Sequence, residues 1–247
     1  MNSKSEVLKC ARDIVRLSLP GCTAGEAVIH NIETAGRVEQ ALDHLAILRV
    51  GQILRLVADK VVFEEDCARG HRKKGHDAVI YHGEMRIVNE VMRIRPTDWG
   101  QKQREIMLER GTKRMQSMVL GKRGPPLEFL ELTEDPNRTT TGWLDDLLKR
   151  IEERADQFDR GFINILWVVS EDLFYERDNI QDAAHFLAVQ RGQLPSDQPG
   201  FAHQKPEHLT ALGWMWDGDP DGTSAVPHVF LMAPAPSKIS FGERMSS

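Results

Sequence analysis

Asp77 and Glu90 are the two side chains whose types and placement best suit chemistry in this chain of 247 residues. Asp77 opens the run Asp77-Ala78-Val79-Ile80-Tyr81, and Glu90 lies near the end of Met85-Arg86-Ile87-Val88-Asn89-Glu90-Val91. Both runs are rich in β-branched residues and read as strands, with His82-Gly83-Glu84 as a short hairpin turn between them. An antiparallel register across that turn brings the two carboxylates to one end of a cleft. Two carboxylates on adjacent strands suit a hard divalent cation, which would polarise a phosphodiester and activate a water. The bland alternative has Asp77 capping a turn and Glu90 partly exposed on its strand.

Other candidates are weaker. Cys67, His71 and His76 are zinc-competent and lie within ten residues, but they lack paired ligand spacing and enclose Lys73 and Lys74. They read as a solvent-exposed basic loop. Asp217-Gly218-Asp219-Pro220-Asp221-Gly222 matches the first half of an EF-hand loop, yet His228 stands where the closing glutamate belongs, so an acidic hairpin turn is expected. No GxxxxGK[ST], GxGxxG, GxSxG or HExxH occurs in the chain. Between Gln101 and Arg123, seven basic residues (Lys102, Arg104, Arg110, Lys113, Arg114, Lys122, Arg123) face two acidic ones, Glu105 and Glu109, in a chain whose net charge is −5. Such a segment can lie against phosphates, or serve as a solvated helix face that packs through Ile106, Leu108, Met118 and Val119.

The elements that must position these residues follow from periodicity. Residues 5–18 read as an amphipathic helix, and helical spacing continues over 24–58 (Val38, Leu42, Leu45, Ile53, Leu56, Val57) with breaks near Gly36 and Gly51. Three strands follow at 60–64, 77–81 and 85–91. Pro96 closes them, and Thr97 or Asp98 caps a helix over about 99–119. After a polar loop holding Glu134-Asp135-Pro136-Asn137 comes an amphipathic helix at 143–158. The apolar run 162–169 is a strand buried on both faces. A helix near 178–190, a Pro/Gly-rich loop at 192–206, and strands at 209–216 and 229–232 complete the pattern, with a fraying tail from Ser237. A hydrophobic fraction of 40% with 19 glycines is that of a globular protein. Three separated cysteines (Cys10, Cys22, Cys67) suit a reducing compartment, which makes a cytoplasmic location the expectation. No run of 18 apolar residues occurs, so no membrane partner is expected.

The order of helix, strand with Phe63-Glu64-Glu65, polar loop, Asp77-Ala78-Val79-Ile80, turn and Val88-Asn89-Glu90-Val91-Met92 resembles the PD-(D/E)XK restriction-endonuclease-like superfamily. Helix 143–158 with strand 162–169 is similar to the second half of its αβββαβ core, and Ala233-Pro234-Ala235-Pro236 to the proline-containing close of some members. The resemblance covers residues 37–95 and 140–236. It implies an α/β fold with a mixed central sheet of restriction-endonuclease-like type, an N-terminal helical extension (1–36), a basic helical insertion at 96–139 within a single domain (37–236), and a tail (237–247). It further implies that Asp77 and Glu90 act catalytically and hold Mg²⁺, with Glu65 as third carboxylate. Two departures stand out: His76 precedes Asp77 where the family pattern has proline, and Met92 occupies the position of the catalytic lysine. Lys102 is then the candidate substitute, and Arg104, Arg110, Lys113 and Arg114 the nucleic-acid contacts.

Without an ammonium group at position 92, the attacking water loses an orienting donor and the pentavalent phosphate a stabilising partner. The expected function is a divergent nuclease-like domain that binds nucleic acid and a divalent metal with weak or absent phosphodiester hydrolysis. The alternative is a catalytically silent scaffold or protein-interaction module of the same fold, self-associating as a homo-oligomer.

Overall fold

A computed structural model describes residues 3–19, 25–65, 75–95, 142–171, 177–189, 208–216 and 227–232, together with Lys102, Glu105, Ile106, Glu109, Arg110, Thr112, Lys113, Gln116, Val119 and Leu120. The first helix, α1 (Lys4–Ser18), starts with a capping box in which the Ser3 hydroxyl accepts from the Glu6 N–H and the Glu6 carboxylate accepts from the Ser3 N–H. It packs with α2 (Gly25–Thr34) and α3 (Val38–Leu54). The break at Gly36 falls between α2 and α3, as expected. The break at Gly51 does not occur: α3 runs through it, and the glycine serves close packing because a side chain there has no room. A Cβ on Gly51 would sit 2.2 Å from Cζ of Phe63, whose ring fills the space. Leu56 and Val57 lie beyond the end of α3 and are exposed, not part of a helical apolar stripe.

Six strands then build one mixed sheet in sequential order: β1 (Lys60–Glu65), β2 (His76–His82), β3 (Met85–Ile94), β4 (Ile163–Ser170), β5 (Ala211–Trp216) and β6 (His228–Leu231). The β1–β2, β2–β3 and β5–β6 pairs are antiparallel; β3–β4 and β4–β5 are parallel. The tight turn between β2 and β3 uses Gly83 at φ +57°, with its N–H donating to Asp59 Oδ2 at 2.8 Å. Each parallel connection carries a helix, α4 (Gly142–Glu152) before β4 and α5 (Arg177–Val189) before β5. The chain is therefore a mixed α/β protein, with α1–α5, six strands and a helical segment at 102–119 among the described residues. Among the described residues no helix is long and apolar enough to cross a membrane.

The alternation of side chains along the central strands feeds two cores. Val91, Trp167, Val169 and Met215 point to α1–α3, while Met92, Leu166, Val168 and Leu212 point to α4 and α5. Gly213 sits beside Trp167, where a Cβ would come within 2.5 Å of the indole. β4 is buried along most of its length, as its uninterrupted apolar run requires. α4 ends at Glu152 and a short 3₁₀ turn (Ala155–Gln157) follows, so the expected single helix to 158 is split.

Several expected features lie outside the described residues: the cap at Thr97 or Asp98, the loop at 134–137, the loop at 192–206, the acidic turn Asp217–Gly222, Ala233–Pro236 and the tail.

Candidate functional site

β2 is where sequence and geometry part. Its ladder with β3 runs from His82↔Met85 to Ala78↔Asn89 and goes no further. Upstream, the Asp77 side chain replaces the backbone: Oδ2 accepts the Val91 N–H at 2.8 Å. Continued alternation would have placed Asp77 beside Glu90. Instead Asp77, 2% exposed, lines a cavity together with Val91 and Arg93. Glu90, 3% exposed, is bound elsewhere: its Oε1 lies 2.7 Å from His76 Nδ1. The interrupted ladder thus gives the two carboxylates different surroundings.

His76 is fully buried and no part of an exposed loop. Its second ring nitrogen, Nε2, is 2.9 Å from Oδ2 of Asp159, and Arg86 Nη1 lies 3.6 Å from that same oxygen. Arg86 also stacks over the Phe162 ring at 4.5 Å. Burial alone would lower the His76 pKa, but the hydrogen bonds and charges of Glu90 and Asp159 outweigh it and raise the value above the ordinary histidine range. An imidazolium with both N–H groups donating satisfies two carboxylates at once. Asp159 is held in place by Asn164, whose Oδ1 accepts the Asp159 N–H and whose Nδ2 donates to the carbonyls of Asp159, Phe162 and His208.

The cavity beside Asp77 has a volume of about 890 Å³. It opens between the C-terminal half of β3, the α2–α3 turn with the first half of α3, and the end of α4. Asp77, Arg93 and Arg95 come from the sheet, Gln40, Asp43 and His44 from α3, and Arg150 and Arg154 from the α4 region. Arg93 is almost wholly buried and binds Glu171, Glu39 and Asp43 at 2.7, 3.2 and 3.3 Å. Burial opposes its charge, yet these carboxylates, Glu171 foremost, raise its pKa further. Arg95 pairs with Asp43 at 2.7 Å, and Arg150 with Asp146 at 2.9 Å. Arg154, half-buried, donates to the neutral amide oxygen of Gln157.

The remaining expected residues fall as follows. Met92 is buried among the apolar side chains beneath α4 and α5. Lys102, Arg110 and Lys113 are helical and exposed, and none of them lines the cavity. Lys113 Nζ pairs with Glu109 at 2.6 Å, which lowers the Glu109 pKa. Val119, expected inward, is 82% exposed, and Leu120 beside it 69%. Glu65 lies opposite His76 in the β1–β2 ladder, and its side chain is outside the described residues, as are Arg104, Arg114, Cys67 and His71.

The described donors, Asp77 and Glu90, do not fit the Mg²⁺ centre that the resemblance implies. The imidazole of His76 occupies Glu90, a backbone N–H engages Asp77, and among the described residues no three His, Cys, Asp or Glu side chains form a group able to hold a metal. Sequence reasoning missed His76–Glu90–Asp159 and the arginines of α4. The i,i+4 spacing of Arg150 and Arg154 in the sequence was the available signal for the second, although Arg154 lies just past the end of α4. Comparison of the chain with protein-family models, with curated proteins and with solved structures found no match.

Proposed function

We propose that this chain is a divergent nuclease-like domain that binds nucleic acid through its phosphates and does not hydrolyse them. The observation that carries the reading is the sharing of one cavity by Asp77 with Arg93, Arg95, Arg150 and Arg154, while His76 neutralises Glu90 outside it. The run of helix, three strands, helix and strand from α3 to β4 supports the restriction-endonuclease-like type. Met92, packed in the core, brings an apolar side chain instead of an ammonium group to the position two residues after Glu90. Guanidinium groups at a cavity wall suit phosphate oxygens, which they bind through paired N–H donors. Arg110 and Lys113 add exposed cationic side chains on the helix of the basic segment.

The test is binding of labelled single- and double-stranded DNA and RNA at increasing salt, alongside a cleavage assay with Mg²⁺ or Mn²⁺. Affinity falls as salt rises, with a slope set by the number of phosphates neutralised. The Arg110→Glu/Lys113→Glu variant binds more weakly across all sequences and shows a shallower slope. Salt-independent binding, or none at low salt, refutes the nucleic-acid reading. Cleavage lost in Glu90→Ala refutes the absence of hydrolysis.

A further inference from the structure

Resting on that reading, we infer that the cavity receives a terminal phosphate monoester, with Arg150 and Arg154 as its ligands, and not an internal phosphodiester. About 890 Å³ falls within the range of about 300–1,000 Å³ typical of small-ligand pockets, so the cavity holds a nucleotide-sized group and no duplex. Arg150 in the last turn of α4 and Arg154 in the turn that follows both line the cavity, which brings two guanidinium groups to it from one end of α4. A phosphate monoester carries close to two negative charges at neutral pH and three oxygens that accept strong hydrogen bonds, whereas an internal diester carries one charge. Two adjacent forks match the monoester.

The cations already present are not equivalent. Arg93 is consumed by Glu39, Asp43 and Glu171, and Arg95 by Asp43 and Glu39. Arg150 has one exposed carboxylate partner four residues away, a weak surface pair that an incoming dianion displaces readily. Arg154 makes its side-chain hydrogen bond to a neutral amide, so its charge faces the cavity without a carboxylate among the described residues. The rest of the lining is of another kind. Away from Arg150 and Arg154, and beside the carboxylate-paired Arg93 and Arg95, it carries Asn31, Thr34, Gln40 and Asp77, whose amide, hydroxyl and carboxylate groups suit the hydroxyl and amino groups of a ribose and base. One anionic end and one hydroxyl-rich end describe a terminal nucleotide, free or at the end of a strand.

The experiment measures binding of the full chain to single-stranded oligonucleotides of one sequence carrying 5′-phosphate, 3′-phosphate or only hydroxyl ends, with free mononucleotides as competitors. A phosphorylated end binds at least about tenfold more tightly than the hydroxyl-ended strand, the effect expected from one lost hydrogen bond to a charged group. Arg150→Gln/Arg154→Gln abolishes that preference, and Arg150→Lys/Arg154→Lys keeps part of it because charge survives without the planar fork. Thermal unfolding of both variants checks that they remain folded. Equal binding of phosphorylated and hydroxyl ends overturns this inference and leaves nucleic-acid binding standing. A mononucleotide bound by wild type and lost in the Gln pair, with no oligonucleotide bound, supports the pocket and overturns the nucleic-acid reading. A preference that survives the Gln pair assigns the phosphate elsewhere and refutes the role of these arginines.

Discussion

Replacing His76 tests the buried network most directly. The imidazole makes contacts of 2.7 Å to Glu90 and 2.9 Å to Asp159, both with carboxylates almost withdrawn from water. His76→Ala leaves those carboxylates facing each other across a void, and removing one partner of a buried ion pair costs about 3–5 kcal/mol. Against the 5–15 kcal/mol that holds a typical domain together, this is a large fraction. The pH dependence has a definite sign. Because the folded-state pKa of His76 is raised, its stabilisation is complete below the unfolded value near 6.5 and is lost as pH rises through the folded value. Neutral imidazole has a single N–H, so above that point one carboxylate meets a lone pair. Urea unfolding from pH 5.5 to 9 should therefore show wild-type stability falling across the upper part of the range. In a His76→Gln/Glu90→Gln variant that fall should be much reduced. Glu90→Gln, destabilising by itself, should stabilise the His76→Ala background, because there it removes an uncompensated buried charge. A His76→Ala cost below about 1 kcal/mol together with an unchanged pH profile would refute the network as a structural element.

Gly51→Ala should gain about 1 kcal/mol from helix propensity, but overpacking against the Phe63 ring 2.2 Å from the new methyl should cost about 1–3 kcal/mol, a net loss of up to about 2 kcal/mol; a higher melting temperature would refute the close packing. Asp77→Ala should cost about 1–3 kcal/mol by leaving the Val91 N–H without its acceptor, and Asp77→Asn clearly less, since the amide oxygen can accept the same bond. Millimolar Mg²⁺ should raise the melting temperature no more than a monovalent salt of matched ionic strength; a specific rise abolished by Asp77→Asn would restore the metal site.

The strands were legible where their chemistry is local. β-branched runs, a glycine turn and an apolar run bounded by Gly161 and Ser170 marked β2, β3 and β4 to within a few residues. The N-terminal helices followed from their 3.6-residue spacing. Gly51 misled because a helical glycine signals a break in sequence, whereas here it admits an aromatic ring from β1, a contact that only the folded chain contains. The site was half legible for a related reason. The sequence places Asp77 and Glu90 on adjacent strands, where they stand, but their expected convergence depends on a ladder continuing past Ala78. It stops there because an aspartate side chain competes for the backbone donor, as short acidic side chains do. Asp159 could not be paired with His76 from sequence at all, since 83 residues separate them. The outward orientation of Val119 was likewise hidden, because an apolar residue at helical spacing does not reveal whether a partner surface exists.

The two clusters of charge do different work on the two sides of the sheet. On the α4–α5 side His76, Glu90, Asp159 and Arg86 balance at two positive and two negative charges when His76 is protonated, which joins β2, β3 and the segment before β4 without a net charge to attract a ligand. On the α1–α3 side Arg93 ties β3 to Glu39 and Asp43 of α3 and to Glu171 just after β4, fixing one wall of the cavity before anything binds. Arg150 of the helix that covers the opposite core through Leu147, Leu148 and Ile151, and Arg154 in the turn after it, line the cavity from the other side of the sheet. An anion in the cavity therefore touches both helical layers at the end of the sheet. Its binding energy opposes their separation, and preorganised walls keep the ordering cost low. With Glu90 withdrawn into a neutral structural cluster and arginines facing the cavity, the electrostatics favour the proposed role of holding phosphate over one of activating water.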